Sequence, residues 1–429
     1  MTTLRQDSEK NKSVSRRHFL KTTSAVLTAS TVPAIGNSVF AAGQERIKVA
    51  LIGCGRRGKA ALGNFLEAAR HLSIKTDVVA LADYFKENAK GFSVAQGNCH
   101  VGPTAYKKVM ASDADVVLLV TPPNFRPVHF EAAIKAGKHV FMEKPAAVDA
   151  PGARRIIKAG KLATQKGLSV VAGTQRRHDK LYLQTQYAVA NGAIGDIRSG
   201  KVWWCKGREK YQERQPGESD ASYMIRNWLN FKEMSGDHIV EQHIHNLDVA
   251  NWFIGRHPDR ALGFGGRSRR KTGNQYDFFS VDYDYKEGLS IHSMCRQING
   301  GYSRISEFFT GTLGTTWGTG NGIKGFVKNI KIPKIECVSN PYVQEHIDLI
   351  NSIIDGKPIN EANNVAESTL TAIMGRISAY TGKPVRWREL TDEMYGSPWY
   401  FKKMKPTPED FEKNTVKAPP EKAPIPGRD

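Results

Sequence analysis

At 429 residues, 40% hydrophobic and 24% charged, the chain has the length for two domains with sizeable cores, and its composition excludes a disordered or fibrous protein. A formal net charge of +20 invites a nucleic-acid reading, but the basic clusters, such as residues 267–271, are short and no nucleic-acid-binding module is present; the charge reads as a solvated basic surface, and nucleic acid is not expected as a partner. The five cysteines (Cys54, Cys99, Cys205, Cys295 and Cys337) have no C-x-x-C or zinc spacing, which excludes a disulfide scaffold; they read as structural, with one surface disulfide left open.

The chain begins polar and basic, passes through Ser15-Arg16-Arg17-His18-Phe19-Leu20-Lys21, and continues as a modest apolar stretch to Ala34. That stretch is too short and too rich in Thr, Ser and Ala to span a bilayer, and small residues follow at Ala41 and Ala42. The S-R-R-x-F-L-K pattern resembles the twin-arginine export signal. The resemblance implies a signal peptide over residues 1–42 cleaved after Ala41 or Ala42, recognition by the twin-arginine translocase, and a periplasmic or otherwise exported protein.

Residues 47–52 form an apolar run that enters Gly53-x-Gly55-x-x-Gly58. A helical stretch follows over 59–69, then a second apolar strand over 78–82 that ends on Asp83. In that setting Gly53 allows the tight turn, Gly55 lets the backbone approach a pyrophosphate, and Gly58 lets helix pack on strand. The helix then offers free N–H groups and its positive end to phosphates. Asp83 stands where a carboxylate takes the ribose hydroxyls and repels a 2′-phosphate. NAD is therefore the expected cofactor, with NADP the alternative because Arg56, Arg57 and Lys86 are close in sequence. Residues 115–121 are a strand of the buried parallel type running into Thr121-Pro122-Pro123, a turn at the carboxyl end of the sheet where ligands lie. A helix over 129–136 (starting at His129), a strand over 139–142 entering Glu143-Lys144-Pro145, a helix over 153–165 and a strand over 169–172 complete a doubly wound parallel sheet across residues 46–172.

From residue 173 the rhythm changes. A helix over 180–191 is followed by alternating strands at 197–205, 261–267, 278–285, 289–295 and 306–312, with a hairpin turn at 286–288, and then by helices at 341–354 and 364–381. The expectation is a C-terminal α+β domain, residues 173–390, with a large, mostly antiparallel open sheet. Residues 391–429, rich in Pro and Lys, read as an extended tail.

Two places carry chemistry. Lys144 leaves a buried strand and precedes a proline that fixes the backbone, so it can hydrogen-bond a substrate hydroxyl and stabilise a developing alkoxide. Glu241, His245, Asp248 and Trp252 fall at i, i+4, i+7 and i+11, one face of a predicted helix beside the apolar face of Val240, Ile244 and Leu247. His245 can then act as general base with Glu241 orienting its ring. His238, Glu241 and His245 share a face but His243 does not, so no metal is expected.

Three stretches together resemble the Gfo/Idh/MocA oxidoreductases: the glycine loop; Thr121-Pro122-Pro123 … His129 … Ala136-Gly137-Lys138-His139-Val140 … Glu143-Lys144-Pro145; and Gly236 through Asp248. Their order and spacing agree across roughly residues 46–385. The family usually shows D-x-G-x-H where this chain has Glu241-x-His243-x-His245. The resemblance implies a Rossmann domain, NAD(P), and hydride transfer at a sugar or polyol carbon. It assigns Gly53, Gly55, Arg56, Arg57, Gly58, Asp83, Thr121, Pro122, Pro123, His129, Glu143, Lys144, Gln175 and Arg176 to the cofactor. Lys144, His245 and Glu241 are assigned to catalysis, and Lys144, Arg177, His243 and His245 to substrate; Trp228 joins them on residue type, since an aromatic suits a sugar ring's apolar face, with a place in the core as its other reading. Arg177 has pairing with a carboxylate as its other reading. The expected protein is an exported homo-oligomer (dimer or tetramer) that holds its dinucleotide tightly. An NAD-dependent glycosidase or lyase working through transient oxidation, and a non-enzymatic sugar-binding protein, are the rival expectations.

Overall fold

The computed structural model describes residues 46–94, 96–318 and 330–428. The Ser15–Lys21 stretch and the expected cleavage positions lie outside them.

The first half alternates strand and helix: β1 (Arg46–Ile52), α1 (Arg56–His71), β2 (Lys75–Asp83), β3 (Cys99–Val101), α2 (Ala105–Met110), β4 (Val116–Leu119), α3 (Arg126–Lys135), β5 (His139–Met142), α4 (Ala150–Gln165) and β6 (Val170–Ala172). The six strands form one sheet in the order β3-β2-β1-β4-β5-β6, and every pair in it is parallel. Every residue of β4, β5 and β6 is buried, because helices cover both faces; this is why these strands read as unbroken apolar runs. The order reverses between β1 and β4, so the crevice above their carboxyl ends is where such a sheet takes a ligand.

The second half contains α5 (Lys180–Ala190), β7 (Ile197–Lys206), α6 (Asp220–Arg226), α7 (Lys232–Ser235), α8 (His238–Glu241), α9 (Ile244–Ile254), β8 (Arg260–Gly266), β9 (Phe278–Asp284), β10 (Ser290–Gln297), β11 (Arg304–Gly311), β12 (Thr315–Trp317), α10 (Pro341–Ile354), α11 (Ala362–Thr381) and β13 (Val385–Arg386). Its seven strands run in the order β12-β11-β7-β10-β9-β8-β13. Only β7 and β10 pair in parallel; the other pairs are antiparallel. One face buries Val281, Tyr283, Ile291 and Phe309 against α9 and α11. The opposite face is open, with Leu262, Phe264 and Met294 exposed.

Sequence periodicity finds α10 and α11 but not what they pack on. Val343, Ile347 and Ile350 of α10 lie in one core with Leu62 and Phe65 of α1, so this helix belongs to the flank of the first sheet. α11 starts in the first core through Ala362, Val365 and Ala366 and ends in the second through Leu370, Ile373 and Met374. It ties the two sheets into one body.

The segment after Thr391 is not a free extension. It follows α12 (Trp387–Thr391), carries α13 (Pro398–Phe401) and α14 (Pro408–Glu412), and lies along both halves. Met404 N donates to Asp149 (2.8 Å), and Glu412 accepts from Tyr106 (2.9 Å) and Lys107 (2.6 Å) on the first half. Ala418 N donates to Asp220 (3.1 Å) and Glu421 accepts from Gly273 N (2.6 Å) on the second. Phe411 and Val416 are the buried anchors between these ends. Composition hid them among prolines and lysines.

Candidate active site

The glycine loop has the geometry its residues require. Gly53 sits at φ +95°, and a Cβ there would lie 2.6 Å from the Val120 backbone; a Cβ on Gly58 would lie 1.8 Å from the Gly53 carbonyl oxygen. A Cβ on Gly55 would meet nothing within 4 Å, because this glycine faces a cleft of ≈ 1150 Å³. Gly55 is also the N-cap of α1, with no side chain capping the helix and no acid in its first turn. The first amides of a 16-residue helix are therefore left for a ligand of negative charge. These features fit a dinucleotide pyrophosphate.

Around that loop the cleft is lined by Arg56, Arg57, Asp83, Thr121, Pro122 and His129 from the first half. Asp83 is nearly buried and already ordered: Oδ2 accepts from Cys54 N (2.7 Å), and Oδ1 from Phe85 N (2.8 Å) and Asn88 Nδ2 (3.0 Å). A carboxylate has lone pairs for about four donors, so capacity remains for a ribose hydroxyl. His129 supports Thr121 (Nδ1···Oγ1 3.2 Å) and stacks with Phe125; burial pushes its pKa down to about 3, so it serves as a neutral partner. The opposite wall comes from residues 206–230, including Lys206, Glu209, Lys210 and Trp228. No sequence pattern marked that wall, because it is mostly loop. Trp228, expected at the substrate, lies here across from the glycine loop.

Lys144, Glu241 and His245 are not in the lining of this cleft; they form a second cluster at its edge. Their arrangement depends on a break in the helix. A single helix through 238–252 is expected from sequence, but His243 N bonds to His238 O (3.1 Å) and His245 N to Gln242 O (3.3 Å), so the i→i−4 ladder lapses between α8 and α9. The Glu241 carbonyl is left without a backbone donor among the described residues. Lys144 Nζ takes it at 2.5 Å and takes the Glu241 carboxylate Oε1 at 2.7 Å. Glu241 thus holds the lysine rather than orienting the His245 ring. Of the three ammonium protons, one remains uncommitted. His245 is buried and stacks on Trp204, with centroids 5.5 Å apart and planes at 21°. Burial, then the charges of Lys144, Arg176 and Arg57, hold its pKa well below the usual imidazole value, so the ring is neutral and no side-chain hydrogen bond engages it among the described residues. Gln242, next to Glu241, donates to Glu209 of the cleft wall (2.5 Å), which brings this cluster to the cleft.

Other expected site residues are engaged with partners within the protein. His243 is fully buried with Nε2 against Ser293 Oγ (2.7 Å) and its pKa pushed down by burial to about 3. Two residues from Glu241 across the helix break, it points into the sheet and not towards a substrate. Arg177 makes a two-pronged pair with Asp248 (2.9 Å each), so the carboxylate-pairing reading of this residue holds. Arg176 is bound to the buried Glu307 (2.5 Å), with its guanidinium over Tyr182 and Trp204. Gln175 donates to Tyr342 OH (3.2 Å). Glu143 and Arg57, both expected on the cofactor, pair with each other at 2.5 Å. Arg57 also reaches Glu345 (3.4 Å), since two buried carboxyls at the back of the loop need a cation more than solvent does. Pro123 is absent from the cleft wall. The histidines diverge, and among the described residues no group of three His, Cys, Asp or Glu is placed to hold a metal ion.

The chain matches the model of the oxidoreductase family with NAD-binding Rossmann fold, Gfo/Idh/MocA, over residues 47–173, and the Gfo/Idh/MocA C-terminal domain over residues 182–316. It is 26% identical over 275 residues to inositol 2-dehydrogenase of Rhizobium meliloti (strain 1021), covering 61% of this chain and 72% of that one. It is 33% identical over 213 residues to inositol 2-dehydrogenase of Klebsiella pneumoniae (strain 342), covering 48% and 54%; the match thus spans about half of some curated relatives. Among solved structures, GenD2 from gentamicin A biosynthesis in complex with NAD superposes with a TM-score of 0.61 at 18% identity over 80% of this chain and 96% of that one, a likeness of fold.

Proposed function

The chain belongs to the Gfo/Idh/MocA oxidoreductase family, and from that premise we propose that it is an exported dehydrogenase of a sugar or polyol CH–OH group, with NAD as its preferred cofactor. The bound dinucleotide supplies the hydride acceptor. The glycine loop, the free amides of α1 and Asp83 hold it, and Thr121 and His129 shape the far end. The uncommitted N–H of Lys144 donates a hydrogen bond to the substrate hydroxyl oxygen and steadies negative charge there as the C–H bond breaks. His245, kept neutral by its surroundings, accepts the hydroxyl proton. The observation that carries this reading is the double grip of Glu241 on Lys144 beside the buried His245 stacked on Trp204. A flexible lysine is fixed in one pose next to a group that can take a proton.

The inositol dehydrogenases among the relatives make inositol isomers the first substrates to test. Incubation of the protein with NAD and each isomer should accumulate reduced cofactor, read by its absorbance. Conversion of a glycoside with no net reduced cofactor would favour transient oxidation, and no conversion with no bound dinucleotide would end the proposal. Tight retention of the cofactor is supported by the second wall of the cleft and the C-terminal segment that joins the two halves. Export rests on Ser15 to Lys21, and Arg16→Lys with Arg17→Lys should leave the protein in the cytoplasm when cells are fractionated. The exposed apolar sheet face supports a homo-oligomer, which light scattering would size.

A further inference from the structure

We propose that Gln242 is a positioning residue for proton transfer, holding Trp204 as the platform on which His245 stacks and linking that platform to the nucleotide cleft. The proposal rests on the reading of His245 given above. Gln242 lies in the break between α8 and α9 and is 7% exposed. Its Oε1 accepts from Trp204 Nε1 (2.9 Å) and from Gln297 Nε2 (2.9 Å), and its Nε2 donates to Glu209 Oε1 (2.5 Å). Two N–H donors on one side and a carboxylate on the other admit only one orientation of the amide. The indole is thereby fixed at its one polar atom, and its face is set against the imidazole.

Both arms of this network end in the cleft wall. Glu209 is in the lining directly. The other arm runs from Gln297 to Arg270, then from Arg270 Nη1 to Asn230 Oδ1 (3.1 Å), and Asn230 is also in the lining. Trp204 belongs to β7 and Gln297 to β10, so Gln242 also clamps the one parallel pair of the second sheet beneath the proposed base. The charged groups facing His245 are accounted for: Lys144 is held by Glu241, Arg176 by Glu307 and Arg57 by Glu143, while His243 faces Ser293. The remaining control over the ring is how well Trp204 excludes water from it.

The test uses Gln242→Met, which keeps length but has no amide, and Trp204→Phe, which keeps an aromatic ring but has no N–H. His245 is titrated by NMR of its ring in the protein without added cofactor, and the pH profile of kcat/KM is recorded in parallel. The expected result in either variant is a His245 titration moved up by about one pH unit or more towards the solvated value, with the acid limb of the rate profile moving alike and cofactor affinity changed by less than about threefold. An unmoved His245 titration in folded Gln242→Met, or in folded Trp204→Phe should the first variant not fold, overturns the proposal. A titration that moves while the rate profile does not would remove His245 as the base, and with it the proton-transfer role of Gln242, leaving only its hold on Trp204.

Discussion

Lys144 Nζ donates to both the backbone carbonyl and the carboxylate of Glu241, at 2.5 and 2.7 Å. The first contact is available only because the helix lapses after α8, so a local fault in secondary structure sets the pose of the proposed catalytic cation. Lys144→Ala should lower kcat by ~10²–10⁴-fold with cofactor affinity nearly unchanged, since the lost interaction belongs to the transition state. Glu241→Gln, which keeps the carbonyl contact, should cost less than Lys144→Ala. Steady-state kinetics with calorimetric cofactor titration checks both, and equal losses would place the carboxylate itself in the reaction.

His245 predicts an unusual pH profile. Burial and the neighbouring cations hold its pKa well below 6.5, so the neutral, proton-accepting form persists on the acid side. The logarithm of kcat/KM should run flat through the ordinary imidazole range near pH ~6.5. An acid limb there would mean that the base is another group or that the ring is open to water.

Much of this was legible in the sequence, for physical reasons that also mark the limit. A sheet covered on both faces writes its strands as apolar runs, and the loop after β1 needs glycine at three defined places, so the first half and its cleft could be read directly. Residue type and spacing singled out Lys144 and His245 as candidates, and their chemistry is the proposal made above. Partners were not. Arg57 and Glu143 were both placed on the cofactor because each lies in a motif, and only packing shows that they neutralise each other. His243 alternates with Glu241 and His245 in sequence, and the helix break turns it towards Ser293. The apolar stripe of α10 announced a helix but not that its groove is offered by α1.

Asp83 holds the glycine loop through Cys54 N and, in the proposed function, takes the ribose hydroxyls, so its removal should show both. Asp83→Ala takes an acceptor from Cys54 N in the glycine loop as well as from the ribose. Losing charge-assisted hydrogen bonds of about 1.5–3 kcal/mol predicts NAD binding weakened by tenfold or more, with discrimination against NADP relaxed. Calorimetry with both dinucleotides tests this, and unchanged NAD affinity would show that the carboxylate serves the loop alone.

Stability should fall on the alkaline side through His178. Burial opposes its charge, but Glu361 and Asp348, the latter at 2.5 Å, outweigh it and raise the pKa to about 10. A pKa raised by folding contributes stability that is complete below the unfolded value near ~6.5 and is lost as pH rises towards the folded one. His178→Gln should therefore be less stable than the parent at neutral pH and converge with it by about pH 10 in denaturant titrations. Parallel curves across that range would assign His178 no charge in the folded protein.

The C-terminal segment offers the last expectation. Glu412 is fixed to Tyr106 and Lys107 beside the cleft, and Tyr106 is itself in the cleft lining. Phe411 packs edge-on against Phe125, another lining residue, at 4.9 Å. Beyond Phe411 the chain crosses to Asp220 and Gly273 of the second half. The segment packs behind Tyr106 and Phe125 without itself lining the cleft, so any hold it has on a dinucleotide would act by bracing the two walls. Phe411→Ala removes the anchor, at about 3–5 kcal/mol for a buried phenylalanine, while touching neither the glycine loop nor Lys144. The variant should retain turnover at saturating NAD but lose its dinucleotide on dialysis, with the dissociation rate raised by about tenfold or more. If the parent protein loses its cofactor as readily as Phe411→Ala does, the segment is a structural brace with no hold on the ligand, and retention must be sought in the cleft walls themselves.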